Sequence, residues 1–134
     1  MRASRLAVVA GSILLLQSCS PASLIHLYND TGATIVVATR SGSVSVPPHS
    51  STQFGLILAT DQHWESLTVT ARDRTWRYLQ RLFTRIPWES WQRGPFESRN
   101  VFVRLDSRGR IYLTAPDGAA VSQPSGFPLL LEKT

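Results

Sequence analysis

The sequence predicts a mainly β domain: a small antiparallel β-sandwich or barrel with one short amphipathic helix over about residues 75–86. Short segments rich in Val, Ile, Thr and aromatic residues recur between turn signals from residue 24 onward, which is the pattern of an all-β domain. One pair of them is joined by a turn sequence of hairpin type. A single stretch between them breaks the alternation and carries helical spacing instead.

"LIHLY", residues 24–28, is the first strand, and "NDTG" after it favours a tight reversal through Asn29, Asp30 and Gly32. "ATIVVAT", residues 33–39, is β-branched and stops at "RSGS". "VSV", residues 44–46, meets Pro47 and Pro48, which cannot both serve a central strand. "STQFGLIL" and "ESLTVTA" read as two further strands. "NVFVRL", residues 100–105, sets Val101, Val103 and Leu105 on one face and Phe102 and Arg104 on the other. "DSRGR" turns it into "RIYLT", with Gly109 as the positive-φ residue. "APDG", residues 115–118, is a turn with Pro116 at its first central position. "VSQPSG" is a loop, and "FPLLL" a closing edge strand or docked tail.

The exception is "RDRTWRYLQRLFTRIPW", residues 72–88. At 100° per residue Trp76, Leu79, Leu82, Phe83 and Ile86 fall within an arc of about 120°, and Arg74, Arg77, Arg81 and Arg85 within about 80° on the opposite side. Thr75 or Asp73 is a suitable cap, and Pro87 disfavours helix at Ile86. A strand reading puts Trp76, Tyr78, Leu82 and Ile86 on even positions but leaves Leu79 and Phe83 among the arginines. Helix is therefore the expectation.

The N-terminus points to location. "MRASR" carries two arginines and no acid, and "LAVVAGSILLL", residues 6–16, is apolar and too short for a bilayer span, which needs about 20 residues. This is the layout of an export signal. Its end, Leu16-Gln17-Ser18-Cys19, resembles the lipobox of bacterial lipoproteins, with Gln17 bulkier than the usual residue there. The resemblance implies cleavage before Cys19, a diacylglycerol thioether on its sulfur and an acylated amine; two or more acyl chains anchor stably where one does not. It also implies outer-membrane sorting in a Gram-negative source, since Ser20 rather than Asp follows the cysteine. Residues 1–18 are then the signal, 19–23 the lipidated cysteine and a short tether, and 24–134 one β-rich envelope domain. The chain has one cysteine, so no intrachain disulfide is available to it.

The formal charge is +5, but between Arg72 and Arg110 ten arginines face four acids. Such a segment can hold a local positive field, although a run of like charge is commonly a solvated face. Arg74, Arg77, Arg81 and Arg85 are accordingly candidates for an anionic lipid or envelope glycan, and Trp88 and Trp91, in a loop with Phe96, for contact with an envelope protein. His26, His49 and His63 are not paired at metal-ligand spacing. Asp61, His63 and Glu65 are close but make neither a triad nor a closed metal site, so a hydrolase is the least favoured reading. Basic residues among aromatics suit single-stranded nucleic acid, but an exported chain gives them none to meet. The expectation is a membrane-anchored, non-catalytic interaction or scaffolding module without metal or cofactor.

Overall fold

The computed structural model describes residues 23–55 and 66–129. Among the described residues nine strands form two sheets: β1 Ser23–Asp30, β2 Ile35–Thr39, β3 Gly42–Val46, β4 Ser51–Gly55, β5 Ser66–Ala71, β6 Arg74–Leu79, β7 Gln92–Arg93, β8 Arg99–Asp106 and β9 Ile111–Leu113. Sheet A runs β4-β1-β8-β7, with β9 also on β8; sheet B runs β3-β2-β5-β6. The two pack face to face as a sandwich around one core, and among the described residues no barrel closes. All pairings are antiparallel except the central one of sheet A, where β1 and β8 run parallel from Ser23↔Arg99 to Asp30↔Asp106. That pair is parallel because the chain passes through sheet B and returns to the end from which it set out.

The alternation legible in the sequence is the core. Ile25 and Leu27 of β1 and Val101, Val103 and Leu105 of β8 face Ile35, Val37, Leu67, Val69, Trp76 and Tyr78 of sheet B, all buried in one cluster. A strand with one face covered must place residues i, i+2 and i+4 inward, and both central pairs do. The 106–110 turn is closed by Asp106, whose Oδ1 accepts the backbone N–H groups of Arg108 and Arg110 at 2.9 Å each. Gly109 within it has φ +78. Within the described residues the tail meets the sheet at an antiparallel bridge between Leu129 and Ile111, and the Gln123 side-chain amide bonds the backbone N–H and C=O of Leu113; the rest of the "FPLLL" segment lies outside the described residues.

The predicted helix is not there. Residues 74–79 are strand β6, paired with β5 from Ser66↔Leu79 to Ala71↔Arg74, and Gln80–Arg85 follow as a 3-10 segment. The even-position reading accounts for the strand, with Trp76 and Tyr78 inward and Thr75 and Arg77 outward. Thr, Trp and Tyr fit a pleated surface better than a helix, and β5 offers a full ladder of partners. The chain then changes period, so that Leu82, Phe83 and Ile86 are buried between the sheets. Helical spacing in the sequence is thus the sum of two shorter patterns. Ile86 is extended before Pro87, as a pre-proline residue prefers.

Tyr78 gives the fold a pH limit. Its hydroxyl donates to the Gly109 carbonyl at 2.7 Å in the core. Burial first, and the Asp106 charge second, push its pKa well above the ordinary value near 10. The folded state therefore keeps a proton that the unfolded chain releases. This contribution is intact below about pH 10 and is lost as pH rises beyond, at up to about 1.4 kcal/mol per pH unit. Urea melts between pH 8 and 12 should show that decline, and Tyr78→Phe should flatten it.

Candidate functional site

The two ends of the sandwich differ in chemistry. β1 and β8 start side by side, so the loop that leads into β8 lies at the end where β1 begins. Eight residues along each strand, about 26 Å at 3.3 Å per residue, the turns after β1 and β8 form the other end.

At the first end, Gln80–Arg85, Trp88–Ser90 and Pro95–Glu97 are short 3-10 turns. Phe83 meets Phe54 edge to face at 5.7 Å, and Trp91 packs against the core with its Nε1–H donating to the Ile86 carbonyl at 3.4 Å. Trp91 is a lid on the core. Trp88 is different: it is 63% exposed, and the Arg99 guanidinium lies 4.4 Å over its ring. Phe96 is 90% exposed and sits with Glu97 in the left-handed region, at φ 56 and 59. Two successive non-glycine residues there cost of order 1–3 kcal/mol each. The loop spends that energy while holding a phenyl ring in solvent.

At the other end three turns surround a concavity of about 480 Å³, with Thr31–Ala33, Ala71–Arg74 and Ser107–Arg108 as walls and Trp76 beneath. Asn29 ties this end together. It is fully buried; its Nδ2 donates to the carbonyls of Ala33, Val46 and Pro47, and its Oδ1 accepts from the Thr31 N–H and hydroxyl.

A third feature lies between the two ends. The outward face of sheet A carries His26, whose ring stacks on Phe102 at 4.4 Å and whose Nε2 lies 2.8 Å from Asn100 Oδ1. Tyr28 beside it is 3.5 Å from His49 Nδ1, and the 115–118 turn walls a recess of about 220 Å³ over them. The alternation that identified the core also puts His26, Tyr28, Phe102 and Arg104 on one outer face; the signal was present in the even positions.

The four candidate arginines do not share a face. Arg74 borders the concavity at the turn end, Arg77 points outward from the middle of β6, and Arg81 and Arg85 follow at the opposite end in the 3-10 segment. A strand separates what a helix would have aligned. Of the two tryptophans, Trp88 is available to a partner and Trp91 mostly is not. Leu16, Gln17, Ser18 and Cys19 lie outside the described residues, as do Asp61, His63 and Glu65. No group of three or more His, Cys, Asp or Glu among the described residues could hold a metal ion. None of the described helices is long and apolar enough to cross a membrane. Comparison with protein families, with curated proteins and with solved structures finds no match to this chain.

Proposed function

We propose that the protein is a non-catalytic envelope module, anchored through acyl chains on Cys19, seated on the bilayer by Trp88 and Phe96, and open to partners at its opposite end. The observation that carries this reading is the parallel β1–β8 register. β1 begins at Ser23, four residues after Cys19, so an extended tether reaches about 14 Å. Ser23 pairs with Arg99, two residues from the loop that exposes Phe96. An anchor at Cys19 therefore brings that loop to the lipid surface. Aromatic side chains favour the interface, and exposed Arg81 and Arg85 at the same end add about 1 kcal/mol each against anionic lipid.

Mass spectrometry of the N-terminal peptide should find an acyl thioether on Cys19, and the chain should enter the detergent phase of a Triton partition. An unmodified thiol in the aqueous phase would overturn the anchor. Seating is tested separately with the Cys19→Ser chain on vesicles containing phosphatidylglycerol. Trp88→Ser with Phe96→Ser should weaken binding by about tenfold or more, in line with the apolar area withdrawn.

The strained backbone at Phe96 and Glu97 favours a second reading, in which the same loop is a pre-formed anchor for an envelope protein. A benzophenone amino acid at position 96 decides between them: lipid adducts support seating, and one discrete protein adduct supports the partner.

A further inference from the structure

We infer that the concavity at the end away from β1's start binds the phosphate of a phosphate ester, with Arg72, Arg74 and Arg108 as its clamp and Trp76 as its floor. This goes beyond the seating described above and holds whether or not Cys19 carries lipid.

Three arginines and one acid, Asp73, line about 480 Å³, room for a phosphate together with an organic group of sugar size. Each arginine is delivered by a turn. Arg74 donates from Nη1 to the Ser107 carbonyl at 3.3 Å, which holds its guanidinium across from the 107–109 turn. Arg108 is placed by its own N–H, bonded to Asp106 Oδ1 at 2.9 Å. Arg72 and Asp73 are the whole loop of the β5–β6 hairpin, since Ala71 pairs with Arg74.

Among the described residues no acid forms an ion pair with these three arginines. Asp106 is occupied by backbone amides, and Asp30 pairs with Arg104 at 3.0 Å. Among the described residues Arg72 and Arg108 make no side-chain hydrogen bond or ion pair. Five N–H donors on a planar fork match phosphate oxygens, and a doubly charged monoester gains most from three such cations.

Two further observations point to a ligand. Arg72 has φ 53, a conformation that a two-residue hairpin loop normally gives to Gly, Asn or Asp. A long cationic side chain is kept where a turn residue would be less strained. Trp76 is only 8% exposed, yet its indole N–H has no acceptor among the described residues. Trp76 also lines the cavity, so an acceptor brought there by a ligand is available to it.

The test is a titration of the full chain carrying Cys19→Ser, in neutral detergent, followed by amide and indole NMR. Inorganic phosphate, glucose 6-phosphate and the diester glycerophosphoglycerol are the probes. Saturable shifts are expected at the Trp76 indole and at the amides of residues 31–33, 72–74 and 107–109. Glucose 6-phosphate should bind about tenfold more tightly than the diester, and higher salt should weaken both. Equal binding of the diester supports the site and assigns its ligand to a phospholipid headgroup. Arg72→Asn and Arg108→Gln should each weaken glucose 6-phosphate by about tenfold or more. Arg72→Asn should melt no lower than the parent, because Asn tolerates the left-handed region; this separates lost binding from lost folding. Arg77→Gln, on the outer face of β6, should change nothing. Absence of saturation by any probe up to about 10 mM, the range of negligible affinity, would overturn the proposal. So would equal weakening by Arg77→Gln.

Discussion

Asn29→Ala lowers the stability of the domain by about 3–4 kcal/mol, the largest effect expected of any single polar substitution in it. The side chain is fully buried and joins two connections at once: the 31–33 turn through Ala33 and Thr31, and the β3–β4 connection through Val46 and Pro47. Each neutral hydrogen bond contributes about 0.5–1.5 kcal/mol net, but the asymmetry matters more. Alanine leaves buried donors and acceptors without partners, at about 1–3 kcal/mol each where water cannot replace the lost amide. Equilibrium urea melts measure the change. Asn29→Asp is the sharper comparison, since it keeps the shape and the Oδ1 acceptor while losing every donation from Nδ2. If Asn29→Asp is as stable as the parent near neutral pH, the network does not have the role assigned to it.

Gly109→Ala costs about 3 kcal/mol, for two separable reasons. A Cβ at this position would lie 2.7 Å from Trp76 Nε1 and 2.9 Å from Cδ1. The neighbour is an indole ring packed in the core, which cannot swing away as a surface lysine can. The backbone also stands at φ +78, where an L-residue costs roughly 1 kcal/mol or more. Overpacking of a close-packed core typically costs about 1–3 kcal/mol. A variant with Trp76→Phe added to Gly109→Ala separates the two: it restores space but not the backbone term. Its double-mutant cycle should show a coupling of about 1–2 kcal/mol. Additive effects would mean that the indole moves aside freely.

Gly109 was legible in the sequence, and the reason is physical. "DSRGR" between two alternating segments has an Asx acceptor at its start and the one residue without a Cβ near its end. The strands were legible for the same kind of reason, because burial of one sheet face forces a period of two in "LIHLY", "SLTVTA" and "NVFVRL". Residues 74–86 imitate a helix because the strand ends at Leu79 and the 3-10 segment restarts the pattern out of phase. Trp76, Leu82, Phe83 and Ile86 then satisfy helical spacing without a helix. The arginine concavity was legible only in fragments. Arg72, Arg74 and Arg108 come from two hairpins on different sheets, and no local spacing relates them. Arg74 alone was singled out, on a helical face that does not exist. The Trp88–Phe96 loop was marked by its aromatics, but the opposite fates of Trp88 and Trp91 depend on packing that only the assembled sandwich defines.

The central pair of sheet A also sets when the domain can exist. His26 and Asn100 touch across 74 positions of chain, and β1 finds its main neighbour only in β8. Vectorial delivery of the polypeptide, from a ribosome or through a translocation pore, leaves β1 with β4 alone until the hundredth residue has emerged. Contacts so distant in sequence make for slow, late assembly. A chain stopped before β8 presents all four strands of sheet B against only the β4–β1 edge of sheet A, which leaves part of its apolar face bare, the kind of species a protease or chaperone would meet first.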